Sequence, residues 1–488
     1  MKLFFLLFIL SLSVFAADKT QKLKPENVKD PITTEHEVLI DGKKIKYKAK
    51  VGFINLNKNG KKDKAKLFYI AYTVDSDKHR PLTFSFNGGP GSSSVWMHMA
   101  LLGPKRVLMD DEGMALKPPA KVVDNDLSIL NKTDLVFIDP IGTGFSKPIG
   151  DGKQQEFSGV NEDISSIGEF IEKYISSNNR WKSPKYLIGE SYGTFRAAGL
   201  SNHLFDKYGM RLNGVMLISS VLNYQTISQG AENIQAYVHF LPSLAATSWY
   251  HDKLLPRYKQ KNLTDFLKEV EQFAQSEYLL SLYKGDRLSA DEVNKVASKI
   301  AAYTGLSEEF VKQQNLKVSN FIYFKELLRK EEKVVGRFDG RYKDDAMSKG
   351  SQHAGYDPSY THIYGPISEA LNGYLREDLK YNEKSPYGIL SNVHPWNFPK
   401  NRYAATTSYL KSAIVKNPYM KVFIASGYYD LATPYFATEF TFAQMNLPEK
   451  LQKNIAIAYY EAGHMMYLHM PSFKKLAADL DKFLDSSK

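Results

Sequence analysis

The 488-residue sequence contains no cysteine. Disulfides, a thiol nucleophile and thiolate metal sites are therefore excluded, and the fold must be held by its core alone. Long apolar runs are scarce as well. The run Leu3 to Phe15 is too short for a comfortable membrane span, and no later segment reaches spanning length. With Lys2 in front of it and the small-residue ending Val14-Phe15-Ala16 behind it, residues 1–16 are expected to be a secretory signal. Residues 17–33, rich in lysine, are expected to be a loose polar leader. An exported chain without cysteine suggests a bacterial source. The expected location is the periplasm or the extracellular medium, with no integral membrane segment after signal cleavage. Dense basic clusters are also missing. The formal net charge is +11, but the lysines are scattered and do not interleave with stacking aromatics, so no nucleic-acid partner is expected. Spread over the surface, such charge favours anionic envelopes or acidic substrates.

What is present is globular text, 43% hydrophobic and 24% charged, at a length that implies one core with an insertion, or two domains. Two runs around Asp41-Gly42 carry a hairpin signal. Lys66 to Val74 and Arg80 to Phe86 read as strands, the second running into Asn87-Gly-Gly-Pro-Gly91. Asp134 to Asp139 is a buried-strand run that ends in Pro140-Ile-Gly-Thr-Gly-Phe145. Ile164, Ile167, Phe170, Ile171 and Tyr174 then recur at helical spacing, and Tyr186 to Ile188 and Gly214 to Ser219 are further buried strands. Strands alternating with helices imply a mostly parallel α/β sheet. From about Leu222 to Phe398 the text turns to helices and loops: Leu263 to Leu282, a helix opened by the capping box Ser289-Ala-Asp-Glu292, Asn320 to Glu332, and shorter helical text mixed with Gly, Pro and Tyr over 356–382. Sheet text resumes at Lys421 to Ser426 and Asn454 to Tyr459, before a closing amphipathic helix. The expected organisation is a core over 34–221 and 399–488, with an inserted, mainly helical cap at 222–398 over its C-terminal edge, where such sheets hold their sites.

Between a strand and a helix stands Gly189-Glu-Ser-Tyr-Gly193, a G-x-S-x-G nucleophile elbow with Ser191 at its tip. The flanking glycines keep side chains out of a tight turn. A serine hydroxyl needs a base to take its proton and a third group to orient that base. On an elbow scaffold these follow in the order acid, then histidine, each on a loop past a strand. Asp430, in Gly427-Tyr-Tyr-Asp-Leu-Ala-Thr-Pro434, and His464, in Glu461-Ala-Gly-His-Met-Met466, meet that description; His98 and His469 do not. An oxyanion needs two N–H donors. Tyr192, after the nucleophile, supplies one, and Gly88 or Gly89 in the glycine loop supplies the other. That loop lacks the lysine and hydroxyl of a phosphate-binding G-x-x-x-x-G-K-[ST], so no nucleotide is expected. No metal and no organic cofactor is called for.

Asn87-Gly-Gly-Pro-Gly-Ser-Ser-Ser94, Asp139-Pro-Ile-Gly-Thr-Gly-Phe-Ser146, Gly189-Glu-Ser-Tyr-Gly193 and the Asp430 and Gly463-His464-Met465 loops together resemble the serine carboxypeptidase family of the α/β-hydrolase fold, in particular its bacterial branch. Leu241 to Tyr250 and Gly336-Arg-Phe-Asp-Gly-Arg341 look like further text of that branch. The resemblance implies an α/β-hydrolase sheet, a Ser191–Asp430–His464 triad and an oxyanion hole from the backbone of Gly89 and Tyr192. It implies that Asn87 and a protonated Glu190 bind the C-terminal carboxylate of a peptide or protein substrate, with Gly88 beside them and Met465 lining the leaving-group pocket. Two positions depart from the family pattern. Ser85 stands where tryptophan is common. Leu101 stands where a second glutamate usually partners the elbow glutamate, which puts the carboxylate site and its acid-shifted pH profile in question. An acyltransferase or esterase on the same scaffold stays open, as does a non-catalytic binding protein; the intact triad argues against the latter.

Overall fold

The computed structural model describes residues 30–57, 62–76 and 79–487. The expected signal and most of the expected leader lie outside the described residues. The first strand, β1 (Ile32–Ile40), pairs antiparallel with β2 (Lys43–Leu56) and begins inside the stretch expected to be a loose leader, because Ile32 and Thr33 already pair with Val51 and Lys50. Asp41 and Gly42 turn the hairpin with positive φ at both, the geometry for which Asp-Gly is suited. The sheet continues through β3 (Ala65–Thr73), β4 (Leu82–Phe86), β5 (Asp134–Ile138), β6 (Lys185–Glu190), β7 (Gly214–Ile218), β8 (Lys421–Gly427) and β9 (Ile455–Tyr460). In space the order is β1-β2-β3-β5-β4-β6-β7-β8-β9, with the short Lys147–Pro148 strand also on β3. All neighbours from β5 to β9 are parallel, and the first three strands join antiparallel. This is an α/β-hydrolase sheet.

Alternation along the strands divides two apolar layers. Phe68, Ile70, Tyr72 and Ile188 enter one, and Leu67, Tyr69, Ala71 and Leu187 the other. Both faces are covered, which is why these strands read as unbroken apolar text. Helix α1 (Val160–Ser177) buries all five residues of its expected stripe, and α2 (Tyr192–Tyr208) follows the elbow directly. The closing helix Met470–Ser486 packs on the first layer through Phe473, Leu476, Leu480 and Leu484.

Helices between Ile234 and Glu326 form a third apolar cluster, joined by Val335 and by Tyr429, Leu431 and Tyr435 from beyond β8. The capping box forms as expected on the helix Ala290–Thr304. Asn320 begins a helix that ends at Glu326, and only a 3-10 turn at Arg329–Glu331 follows it. The mixed text at 356–382 is not a set of short helices but one of 20 residues, Pro358–Glu377, with Pro366 inside it. Burial of Ile363, Ile367, Leu371, Tyr374 and Leu375 in the sheet's own first layer outweighs the poor local propensity. Downstream, residues 388–391 pair with the glycine loops of the sheet: Gly388 with Gly144, Ile389 with Ser93, Ser391 with Gly91. This stretch, grouped with the cap in the sequence, is stitched to the core. An unexpected hairpin, Lys333–Val335 with Lys343–Asp345, carries Arg337 and Phe338 on its loop to the cleft.

Candidate active site

Parallel strands deliver every candidate residue from their C-terminal ends. After β6 the chain turns at Ser191, whose φ of 58° and ψ of −127° lie in a region costly for a residue with a side chain, by about 1–3 kcal/mol. The Ser191 N–H donates to the Ile218 carbonyl at 3.0 Å, tying the turn to the end of β7. Close approach dictates the glycines: a Cβ on Gly189 would lie 2.1 Å from the Gly193 carbonyl oxygen, and one on Gly193 2.6 Å from that of Phe86.

The His464 ring and the Asp430 carboxylate share a hydrogen bond, Nδ1 to Oδ2, of 2.7 Å, and both residues are buried. Asp430 Oδ1 accepts from the N–H groups of Ala432 at 2.8 Å and Thr433 at 2.9 Å, and Oδ2 from the Thr433 hydroxyl at 2.8 Å. Behind the ring, Ser219 donates to the His464 carbonyl at 2.6 Å, and the Phe338 ring lies 5.1 Å from the imidazole. Burial alone would lower the imidazole's pKa. The charge and hydrogen bond of Asp430, helped by the charge of Glu190, outweigh burial and raise it above the ordinary histidine value, against the pull of Arg337.

Beside the serine, the Asn87 loop packs so closely on the elbow that a Cβ on Gly88 would stand 2.4 Å from the Tyr192 nitrogen. Gly89 follows with φ of 104°. Among the described residues no acceptor takes the N–H of Gly89 or of Tyr192, the first residue of α2, so both are available to an oxyanion. Two supports fix the loop. Arg196, wholly buried on α2, pairs with Asp163 at 2.7 Å and donates to the Asn87 carbonyl at 2.6 Å. Asp139 accepts from the Ser94 N–H at 2.9 Å and the Tyr387 hydroxyl at 2.7 Å.

The Asn87 side chain accepts from the Met97 N–H at 3.1 Å through Oδ1, whereas its buried Nδ2, turned toward Glu190, has no hydrogen-bond partner of good geometry among the described residues. Next to it, Glu190 is 2% exposed and receives a short hydrogen bond from the Tyr467 hydroxyl. Burial pushes the Glu190 carboxyl up to about 7, against the opposing pull of His464, Tyr467 and the neighbouring Asn87 amide. Leu101, in the position expected to lack an acid partner, is buried in the apolar layer, and Tyr467 supplies the polar contact to Glu190. Ser85 is buried too, its hydroxyl 3.8 Å from the Met97 sulfur.

Ser191, His464, Asn87, Gly88, Gly89, Glu190 and Met465 all line one cleft of about 490 Å³. Asp430 stands behind His464, and Tyr192 turns its ring into the second apolar layer. Trp96, Phe338, Tyr360, Leu390 and His394 complete the walls. His98 and His469 lie elsewhere; His98 is buried against Tyr72, with its pKa pressed down to about 3 by burial. Among the described residues no three His, Asp or Glu side chains are grouped to hold a metal ion, and no helix is long and apolar enough to cross a membrane. Thr433, Tyr467 and Arg196 were not singled out in the sequence. Each left a trace: a hydroxyl three residues after the acid, a phenol three after the histidine, and a lone charge among the small and apolar residues after the elbow.

Elbow, sheet order and cleft together define an α/β-hydrolase. The model of one family within that fold, the serine carboxypeptidases, matches residues 40–472, and the chain belongs to that family. Serine carboxypeptidase-like 35 of Arabidopsis thaliana is 26% identical over 195 residues, 38% of this chain and 39% of that protein. The pheromone-processing carboxypeptidase KEX1 of Saccharomyces cerevisiae is 35% identical over 135 residues, 25% of this chain and 17% of that one. The chain thus spans well under half the length of these curated relatives. A soluble variant of monoglyceride lipase from Saccharomyces cerevisiae overlaps 89% of this chain and 95% of its own at a TM-score of 0.38 and 10% identity. The fold assignment rests on the sheet order and the family match, not on that overlap.

Proposed function

We propose that this chain is an exported serine carboxypeptidase that releases single residues from peptide C-termini through an acyl-enzyme on Ser191. One observation carries the reading: the strained Ser191 shares its cleft with the hydrogen-bonded Asp430–His464 pair and with a buried carboxyl, Glu190, whose pKa burial pushes up to about 7. In the first step His464 takes the Ser191 proton as Oγ attacks the scissile carbonyl, and the oxyanion forms against the N–H groups of Gly89 and Tyr192. His464 then gives that proton to the leaving amine, and Asp430 holds the imidazole in the required tautomer and balances its charge. Water, activated by the same histidine, releases the acyl group and restores Ser191.

Restriction to C-termini comes from Glu190 and Asn87. Protonated Glu190 donates a hydrogen bond to the substrate's α-carboxylate, and the Asn87 amide donates a second. Ionised Glu190 repels it, so carboxylate binding weakens as the pH rises through about 7. Loss of the glutamate's charge also withdraws one of the influences that raise the His464 pKa, which keeps the base neutral at lower pH. The test is amino-acid release from an N-blocked dipeptide and from its C-terminal amide between pH 4 and 8, with Ser191→Ala as the blank. Ser191-dependent cleavage selective for the free acid supports the reading. Equal cleavage of both, or turnover of esters alone, sinks it in favour of an esterase or acyltransferase.

A further inference from the structure

Arg337 brings to the cleft a guanidinium that the mechanism leaves unused. It stands on the loop of the Lys333–Val335 hairpin and lines the cleft beside Phe338. Its guanidinium lies 5.0 Å from the Phe338 ring, and that ring lies 5.1 Å from His464, so the charge sits one aromatic ring away from the reacting centre. Among the described residues no carboxylate pairs with it. The other groups of the hairpin loop are engaged elsewhere: Asp339 pairs with Arg341 at 2.8 Å and accepts from the Gly463 N–H at 2.8 Å. Asp357 accepts from the backbone N–H of Arg337 and from the Ser359 hydroxyl. Glu190 lies in the same cleft but takes its hydrogen bond from Tyr467.

A half-buried guanidinium with five N–H donors and no acceptor is a site for a planar anion. The α-carboxylate of the substrate already has receptors in Asn87 and Glu190, which leaves the side chain of a residue next to the scissile bond. We propose that Arg337 receives an acidic side chain of the substrate, so that the cleft selects peptides with Asp or Glu beside the bond that is cut. The proposal rests on the carboxypeptidase reading above and deepens it. The excess positive charge of the chain acts in the same direction at long range.

Matched N-blocked peptides carrying Glu or Gln on either side of the scissile bond, each as free acid and as amide, test the proposal on the full-length protein, Arg337→Gln and Arg337→Lys. The expected result is a preference of about tenfold in kcat/KM for Glu over Gln at one side, as a charge-assisted hydrogen bond supplies. Arg337→Gln should abolish that preference while leaving Gln peptides within about twofold; Arg337→Lys should keep part of it. Below about pH 4 the preference should vanish as the substrate glutamate becomes neutral. Equal turnover of Glu and Gln peptides by the unmodified protein overturns the proposal, and so does an equal loss on both in Arg337→Gln. A loss of the acid-over-amide preference for Gln peptides in that variant would place the α-carboxylate on Arg337 and overturn it as well. Calorimetric binding of the same peptides to Ser191→Ala reads the preference without turnover. A Glu preference in binding, with no cleavage by the unmodified protein, sinks only the carboxypeptidase reading.

Discussion

Asp430 and Glu190 both come to His464 from the ends of parallel strands, and both are buried, yet their surroundings differ in kind. Asp430 accepts from two backbone N–H groups, the Thr433 hydroxyl and the imidazole. Glu190 has one hydroxyl donor, Tyr467, and the neighbouring Asn87 amide. Burial opposes the charge of any carboxylate, and hydrogen-bond donors restore it. The difference in donor count therefore separates a carboxylate whose oxygens are taken up in holding the imidazole from a carboxyl that can carry a proton to a ligand. The same contrast between two carboxyl environments lets one cleft hold an acid and a base together.

Breaking the Asp430 side should have the largest effect. Asp430→Asn is expected to lower kcat by about 10⁴-fold, because the amide would hold the imidazole in the wrong tautomer. Ser191→Ala should remove fluorophosphonate labelling altogether, whereas Asp430→Asn should only slow it. Rapid labelling of Asp430→Asn would mean that Ser191 does not depend on this pair.

Glu190→Gln breaks the other side without touching the triad. In the unmodified protein KM for a free-acid peptide should rise by about fivefold between pH 7 and pH 8, since only the protonated fraction binds and that fraction falls from about one half to about one eleventh. The glutamine variant keeps a donor and loses the titration, so its KM should stay flat from pH 5 to 8 and its kcat should change little. A KM that still climbs in the variant would assign the titration to another group.

Thr433→Val sharpens the comparison by removing one of Asp430's donors. A hydrogen bond to a charged group contributes about 1.5–3 kcal/mol, so kcat should fall by at least about tenfold. An unchanged kcat would show that the two backbone donors suffice.

Legibility in the sequence followed the same divide between backbone geometry and side-chain partnership. Ser191, Asp430 and His464 were visible because strand, tight turn and helix leave marks in residue type: glycines where backbones touch, apolar runs where both sheet faces are covered. Thr433 and Tyr467 left only a faint trace, since a hydroxyl three residues along from a candidate triad member is ordinary text until the loop is folded. Pro358–Glu377 misled for a different reason, its Gly and Pro content being outweighed by burial in a layer assembled from strands on both sides of it in the chain. The hairpin that brings Arg337 to the cleft was equally hidden, because strands of three residues are too short to show a period.

Tyr467→Phe should have the smallest effect, and the sign of that effect carries the information. In place of a second carboxyl, the chain gives Glu190 a phenol that donates to it. A donor favours the charged form, so removing it should raise the Glu190 pKa further above 7, not lower it. The inflection in KM for free-acid peptides should then move to higher pH, and at pH 7.5 the variant should bind the free acid a few-fold more tightly than the unmodified protein, with kcat nearly unchanged. The opposite shift, an inflection moved to lower pH with weaker binding at pH 7, would mean that the phenol oxygen accepts the Glu190 proton and holds the acid in its neutral form. Tyr467 would then be doing what a second carboxyl does, and the two carboxyl environments would differ in the direction of a single hydrogen bond as well as in their number.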